Sequence, residues 1–178
     1  MKPLKEMTIG EIAAYVAAHL RQGGVEVVLT GGSCVSIYTD NRYLSYDLDF
    51  IEVGRASRKK IAAILMEIGF LEKDRYFIHP DTMYFVEFPS GPLALGAEPA
   101  GAIAELEFAT GTLRLLSPTD CVKDRLAGYY HWLDRQCLEQ AIMVAHDAEI
   151  DLEEVERWSQ QEGMGEEFER IKTFLLAQ

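Results

Sequence analysis

Apolar positions follow mixed helical and strand periods over the first two thirds of the chain, and helical periods alone after that. Thr8-Ile-Gly-Glu11 forms a capping box, with Thr8 as N-cap and Glu11 reaching back. The helix it opens carries Ile12, Val16 and Leu20 on one stripe and ends near Gly23-Gly24. Val25 to Leu29 is a nearly unbroken apolar run, the pattern of a central strand covered on both faces. A Gly31-Gly32-Ser33 turn, a short helix or loop, and a second strand ending near Val53 follow. Ser57 caps a helix with Ile61, Ile64, Leu65 and Ile68 at helical spacing, stopped by Gly69. Tyr76 to Ile78 and Met83 to Phe88 are predicted strands around the turn His79-Pro80-Asp81. Pro89 to Gly101 holds three of the six prolines and reads as a loop, because proline cannot continue a central strand. Ile103 to Phe108 and Thr112 to Leu116 are the last two predicted strands, with Gly111 in their turn.

From Ser117-Pro118-Thr119-Asp120 onward everything is helical in pattern, starting with a serine N-cap and proline at the first helical position. Val122, Leu126, Tyr129 and Leu133 stripe the first of these helices, and Leu138, Ala141, Ile142 and Ala145 the second. Asp151 caps a third with Leu152, Val155 and Trp158, and Gly163-Met-Gly165 separates it from a last helix with Phe168, Ile171, Phe174 and Leu175. The expected architecture is α/β (α+β): a small mixed sheet with flanking helices over residues 1–116, then a C-terminal helical half over 117–178 packed on it.

Charge narrows the range of partners. The formal net charge is −12; residues 1–116 carry 11 basic and 15 acidic groups, and residues 117–178 carry 6 and 14. So acidic a chain argues against a broad nucleic-acid surface, since phosphate backbones reward lysine and arginine. Cys34, Cys121 and Cys137 form no CxxC pair and no metal-ligand spacing, which suits a reducing compartment. No secretory apolar core opens the chain, and no apolar run reaches the ~18 residues of a membrane span, so a cytoplasmic protein is expected.

The chemistry concentrates between Val27 and Val53. Asp47 and Asp49, at i and i+2 of a strand, project from one face while Leu48 and Phe50 point to the other. Two like charges so close repel, and a divalent cation such as Mg2+ removes the conflict. Gly31 and Gly32 let backbone N–H groups approach an anion, and Ser33 adds a hydroxyl at the start of the next helix. Glu87 is the lone charge in MYFVEFP and, as a carboxylate that needs a cation, is the expected third ligand; Glu105 and Glu107 of AELEF are its rivals. Arg58, Lys59 and Lys60 at a helix start are a solvated face or a contact for a substrate anion. His131, beside Trp132, has the pattern of a packing residue rather than a general base.

The stretch LTGGSCVSIYTDNRYLSYDLDFI resembles the signature of the nucleotidyltransferase superfamily that includes DNA polymerase beta: an apolar strand, Gly-Gly-Ser, a gap of 13 residues, then Asp-apolar-Asp-apolar. The resemblance implies a sheet and flanking helices of nucleotidyltransferase type, with Gly31, Gly32 and Ser33 holding the triphosphate of an NTP. It further implies Mg2+ (or Mn2+) on Asp47, Asp49 and a third carboxylate from a neighbouring strand, where the family more often has Asp than Glu. LSPTDCVKDRLAGYYHWLDRQ is similar to the helix after the sheet in bacterial minimal and toxin-type members, which matches Lys123 to a phosphate-reaching lysine, with Arg125 as its substitute and Asp124 and Asp134 as orienting partners. The implied activity is transfer of NMP to an acceptor (protein, small molecule or RNA end) with release of pyrophosphate. The alternative is a catalytically degenerate binding or regulatory module, such as a toxin–antitoxin component with a protein partner or as a homodimer.

Overall fold

The computed structural model describes residues 2–176; Met1, Ala177 and Gln178, the outer ends of the two predicted halves, lie outside the described residues. The capping box at Thr8 forms as its spacing dictates: the Thr8 hydroxyl accepts from the Glu11 N–H, and the Glu11 carboxylate accepts from the Thr8 N–H at 2.8 Å. It opens α1 (Ile9–Gln22), whose Ile12, Val16 and Leu20 are fully buried. Gly24 takes φ +69°, and the Val25 N–H then closes back on the Leu20 carbonyl at 2.9 Å, a Schellman stop that aims the chain into the sheet. Val25 is therefore buried but belongs to this stop, and the strand β1 (Val27–Thr30) starts two residues later.

The chain then runs α2 (Gly31–Tyr38), β2 (Asp47–Glu52), α3 (Arg58–Glu67), β3 (Leu71–Lys73), β4 (Tyr76–Ile78) and β5 (Phe85–Glu87). A two-stranded ribbon follows, β6 (Ala94–Leu95) and β7 (Glu98–Pro99), and then the hairpin β8 (Ile103–Phe108) and β9 (Gly111–Leu116). Seven strands form one mixed sheet in the order β3-β4-β5-β2-β1-β9-β8. β1 runs antiparallel to β2 and parallel to β9, and β2 runs parallel to β5. β1 and β2 are central, which is why Val28, Leu29, Leu48 and Phe50 are all fully buried.

The helical half is α4 (Pro118–Trp132), α5 (Arg135–Asp147), α6 (Leu152–Gln161) and α7 (Gly165–Leu176). Ser117 caps α4 by accepting the Asp120 N–H, and Asp151 caps α6 by accepting the Glu154 N–H. Helix α2 packs against β1 and β2 on one side and α4 and α5 on the other. The apolar cluster is continuous through it, from Leu29 and Leu48 by way of Val35 to Val122, Leu126, Trp158 and Phe168.

Further local expectations differ from the structure. β3 was absent from the sequence pattern, because all three of its residues are exposed and only pairing with β4 makes it a strand. β5 begins at Phe85 rather than Met83, which is exposed. Leu133 does not continue the α4 stripe: it sits at φ +54° as the helix stop, exposed, and Tyr130 takes the buried place. Phe174 likewise faces outward while Ile171 and Leu175 are buried.

The Pro89–Gly101 segment is anchored rather than loose. Leu95 is buried, its carbonyl accepts the Trp158 indole N–H at 3.0 Å, and Glu98 pairs with Arg157 at 2.7 Å. Trp158 is itself fully buried and stacks on Tyr130. Replacing Trp158 with Phe leaves the Leu95 carbonyl without its donor and is expected to cost roughly 1–3 kcal/mol in urea denaturation, with faster proteolysis between residues 89 and 101. Unchanged stability and unchanged cleavage would contradict this anchoring.

Candidate functional site

Gly31 sets the geometry. It is the first residue of α2 yet has φ +72°, in the left-handed region that side chains avoid, and a Cβ there would stand 2.5 Å from Asp49 Oδ2. The phosphate-type turn and the acid strand are thus pressed against each other. The β1–β2 register does this, pairing Thr30 with Asp49, and the Thr30 hydroxyl adds a bond to the Asp49 carbonyl at 3.1 Å. Gly32 faces Ser45 and Tyr43, which belong to the loop returning from α2 to β2. That loop is pinned where the Ser45 N–H donates to the Ser36 hydroxyl at 2.9 Å. No side chain caps α2 at Thr30, so the first-turn N–H groups of this helix keep their donor capacity and positive end. Ser33 differs from its expected role: it is fully buried, and its hydroxyl donates to the Thr30 carbonyl at 3.0 Å.

Glu87 lies beside the aspartates. β2 and β5 run parallel with Asp47 opposite Phe85 and Asp49 opposite Glu87. The rivals Glu105 and Glu107 sit on β8 at the far edge of the sheet, exposed, the first paired with Arg114 and the second accepting from the Thr112 hydroxyl. Register therefore brings Asp47, Asp49 and Glu87 together on neighbouring strands. Their carboxylates do not yet converge: among the described residues, no three His, Cys, Asp or Glu side chains are gathered closely enough to hold a metal ion as they stand. Each outer acid has turned to its own donor. Asp47 accepts the Ser45 hydroxyl, and Glu87 pairs with Arg75 Nε at 3.3 Å.

Asp49 bears the consequence. Burial, then the charges of Asp47 and Glu87, push its carboxyl up to about 7, with Arg125 acting in the other direction. Burial and Asp47 raise the Tyr43 phenol in the same way. Such an environment fits a divalent cation, which would relieve the repulsion that the fold builds in.

Of the two basic residues expected on helix α4, Lys123 and its substitute Arg125, the structure leaves Arg125 nearer the acids in electrostatic terms. Lys123 is buried and committed to Glu154 at 2.6 Å and Asp120 at 3.3 Å, so its amine serves the α4–α6 contact. Arg125 is the basic residue of α4 whose charge Asp49 feels. Its guanidinium contacts Asp124 through Nε at 3.1 Å and Gln140 at 3.2 Å. Burial alone would lower its pKa, but Asp124 more than offsets this and the net direction is up. Asp134 acts as N-cap of α5 by accepting the Gln136 N–H. His131, expected as a packing residue, is half-exposed with its ring nitrogen 3.2 Å from Glu162, and its neighbour Trp132 is 82% exposed. Arg58, Lys59 and Lys60 stand at the start of α3; Arg58 pairs with Glu72, and Lys60 donates to the Gly24 carbonyl. Sequence reasoning missed Arg75, which nothing in linear spacing ties to Glu87. An open cleft of about 800 Å3 adjoins the Asp124–Arg125 pair, lined also by Gly96, Ala97, Trp132 and Glu162.

No family model and no curated protein matches the chain. Solved structures do. An antigenic nucleotidyltransferase-like protein from Paracoccidioides brasiliensis is similar at TM-score 0.62 and 14% identity, over 99% of this chain and 96% of that one. The solution structure of the antibiotic-resistance factor ANT(2'')-Ia is similar at TM-score 0.52 and 17% identity, over 94% of each chain. A crystal structure of ANT(2'')-Ia with adenylyl-2''-tobramycin is similar at TM-score 0.52 and 16% identity, over 83% of this chain and 92% of that one. The fold is nucleotidyltransferase-like. Among the described residues, no helix is long and apolar enough to cross a membrane.

The Asp49 shift has a testable sign. A carboxyl raised to about 7 from an ordinary 3.8 keeps its proton in the folded chain where the unfolded chain has lost it. The contribution of Asp49 to stability is therefore greatest below the ordinary value, falls as pH rises through this window and levels off above about 7. In chelator at pH 8, Asp49→Asn should be more stable than wild type by up to a few kcal/mol, on a scale of about 1.4 kcal/mol per unit. The gap should close near pH 4, as read by thermal denaturation. A variant less stable than wild type at pH 8 would contradict the electrostatic reading.

Proposed function

We propose that this protein transfers NMP from an NTP to a hydroxyl group of a small molecule, with Mg2+ or Mn2+, and releases pyrophosphate. The observation that carries the reading is the contact of Gly31 with Asp49, which puts an uncapped helix start and a strand of two aspartates into one site. Gly31, Gly32 and Ser33 would hold the triphosphate through backbone N–H groups, and Asp47, Asp49 and Glu87 would hold the cation. The bound cation supplies charge stabilisation at the α-phosphorus and the leaving pyrophosphate. In the reaction the acceptor oxygen bonds to the α-phosphorus as the bridge to the β-phosphate breaks. Asp49 and Glu87, adjacent across the β2–β5 register, are the carboxylates that take the hydroxyl proton. Positioning does most of the work, because the reacting groups need only be held in line.

Two observations support a small acceptor. The open cleft beside Asp124 and Arg125 has the volume of a small-molecule site and is lined by the exposed Trp132. Asp47, Asp49, Glu87 and the glycine turn do not line it; it joins them through Arg125, whose charge Asp49 feels. The net charge of −12 disfavours a long phosphate backbone. The structurally similar ANT(2'')-Ia was solved with adenylyl-2''-tobramycin, a nucleotidylated small molecule, which agrees with this choice.

The test is label transfer from each α-labelled NTP with Mg2+ or Mn2+ in a cleared bacterial lysate, separated into small-molecule, RNA and protein fractions. Wild type is expected to label the small-molecule fraction, and Asp49→Asn to lose at least a hundredfold of that signal while staying folded, on the scale of removing an electrostatic group that acts in the transition state. Label in RNA or protein would overturn the acceptor class. No transfer, with a cation-dependent thermal shift retained, would favour a non-catalytic binding module.

A further inference from the structure

The turn between β3 and β4 brings a cation to the acid site that is distant from it in sequence. Asp74, at φ +56°, reverses the chain there, and Arg75 follows it directly. The antiparallel β4–β5 pairing sets Tyr76 opposite Glu87, so the residue before Tyr76 reaches the carboxylate. Arg75 Nε stands 3.3 Å from Glu87 Oε1, and its guanidinium lies 4.8 Å from the centre of the Tyr76 ring. The backbone of this turn is held from α3, where Arg58 donates to the Arg75 carbonyl at 3.0 Å and to Glu72 at 2.6 Å. The side chain is far less constrained. It is 69% exposed, against 19% for Glu87, and it meets the carboxylate as an ion pair at 3.3 Å. A guanidinium so exposed is free to swing to another anion, and its planar fork suits phosphate.

A metal ion on Glu87 would neutralise its charge and repel the guanidinium beside it, weakening the hold on Arg75. We propose that Arg75 and a divalent cation compete for Glu87, and that the arriving cation hands Arg75 to the triphosphate of the nucleotide. This rests on the nucleotidyltransferase reading above. Three carboxylates and a triphosphate together carry more negative charge than one divalent cation cancels, so a released guanidinium beside them is drawn to the phosphates. The other nearby cations are committed elsewhere: Arg125 to Asp124 and Gln140, and Lys123 to Asp120 and Glu154. Arg75 also lies within the field of Asp49. Arg75 is thus a positioning residue that links cation binding to nucleotide binding.

The experiment measures binding rather than turnover, by calorimetry on the full chain. The probes are Mn2+ alone, and Mn2+ with the non-hydrolysable α,β-methylene analogue of each of the four NTPs. Arg75→Ala removes a competitor for Glu87 and should bind Mn2+ alone roughly twofold to fivefold more tightly, the scale of an exposed ion pair. The same variant should bind the Mn2+ analogue complex about tenfold more weakly, having lost a charge-assisted phosphate contact. Arg75→Lys, which keeps the charge without the fork, should fall between the two for the analogue. Opposite signs for the two probes are the signature, since a purely structural role would weaken both together. Wild type that binds both probes while Arg75→Ala matches it, or weakens both, would overturn the exchange and leave the nucleotidyltransferase reading standing. Wild type that binds neither probe would overturn both.

Discussion

The packing of Gly31 on Asp49 is the constraint the rest of the structure serves. The space between the start of α2 and an aspartate oxygen leaves no room for a Cβ, because β1 and β2 pair with Thr30 opposite Asp49 and α2 begins directly at the end of β1. α2 in turn is the shared wall of the two halves, packed on β1 and β2 and on α4 and α5. The Schellman stop at Gly24 and the pinned loop from Tyr38 to Asp47 deliver the two strands to that register. A fold arranged so tightly around one carboxylate also withdraws much of it from water, and this makes its charge expensive.

That expense explains the state of the acids. Asp47, Asp49 and Glu87 are adjacent through strand pairing, yet the outer two turn away, Asp47 to Ser45 and Glu87 to Arg75. Asp49, fixed between the turn and the strand, has no such escape and takes on the raised pKa. The site therefore has its positions set by backbone and its side chains still to be gathered. Repulsion disperses the carboxylates, and a cation is what would draw them to one point.

Much of this was legible in sequence because it is local. Thr8 with Glu11, Ser57, Ser117 and Asp151 cap helices within three residues of themselves, so composition and spacing suffice to find them. Gly31 and the Asp47–Asp49 pair carry their chemistry in short motifs, and Glu87 stands out as a lone charge in an apolar strand. What stayed hidden depends on distant partners. Lys123 had the right spacing for a phosphate ligand, but Glu154, 31 residues on, claims it for the core. Arg75 sits next to a strand whose three exposed residues gave no pattern, and only the β4–β5 pairing shows what it touches. The 89–101 segment has the composition of a loop, and its ribbon exists because Trp158 and Arg157 hold it.

On the proposed reading, the Gly31 turn and the aspartate strand form one nucleotide and metal site. Anomalous scattering from a crystal soaked with Mn2+ and a non-hydrolysable NTP analogue tests it most directly. The account predicts a manganese peak in contact with the Asp47 and Asp49 carboxylates, with triphosphate oxygens on the backbone N–H groups of Gly31 to Ser33. Manganese bound elsewhere, or a triphosphate held away from that turn, would contradict it.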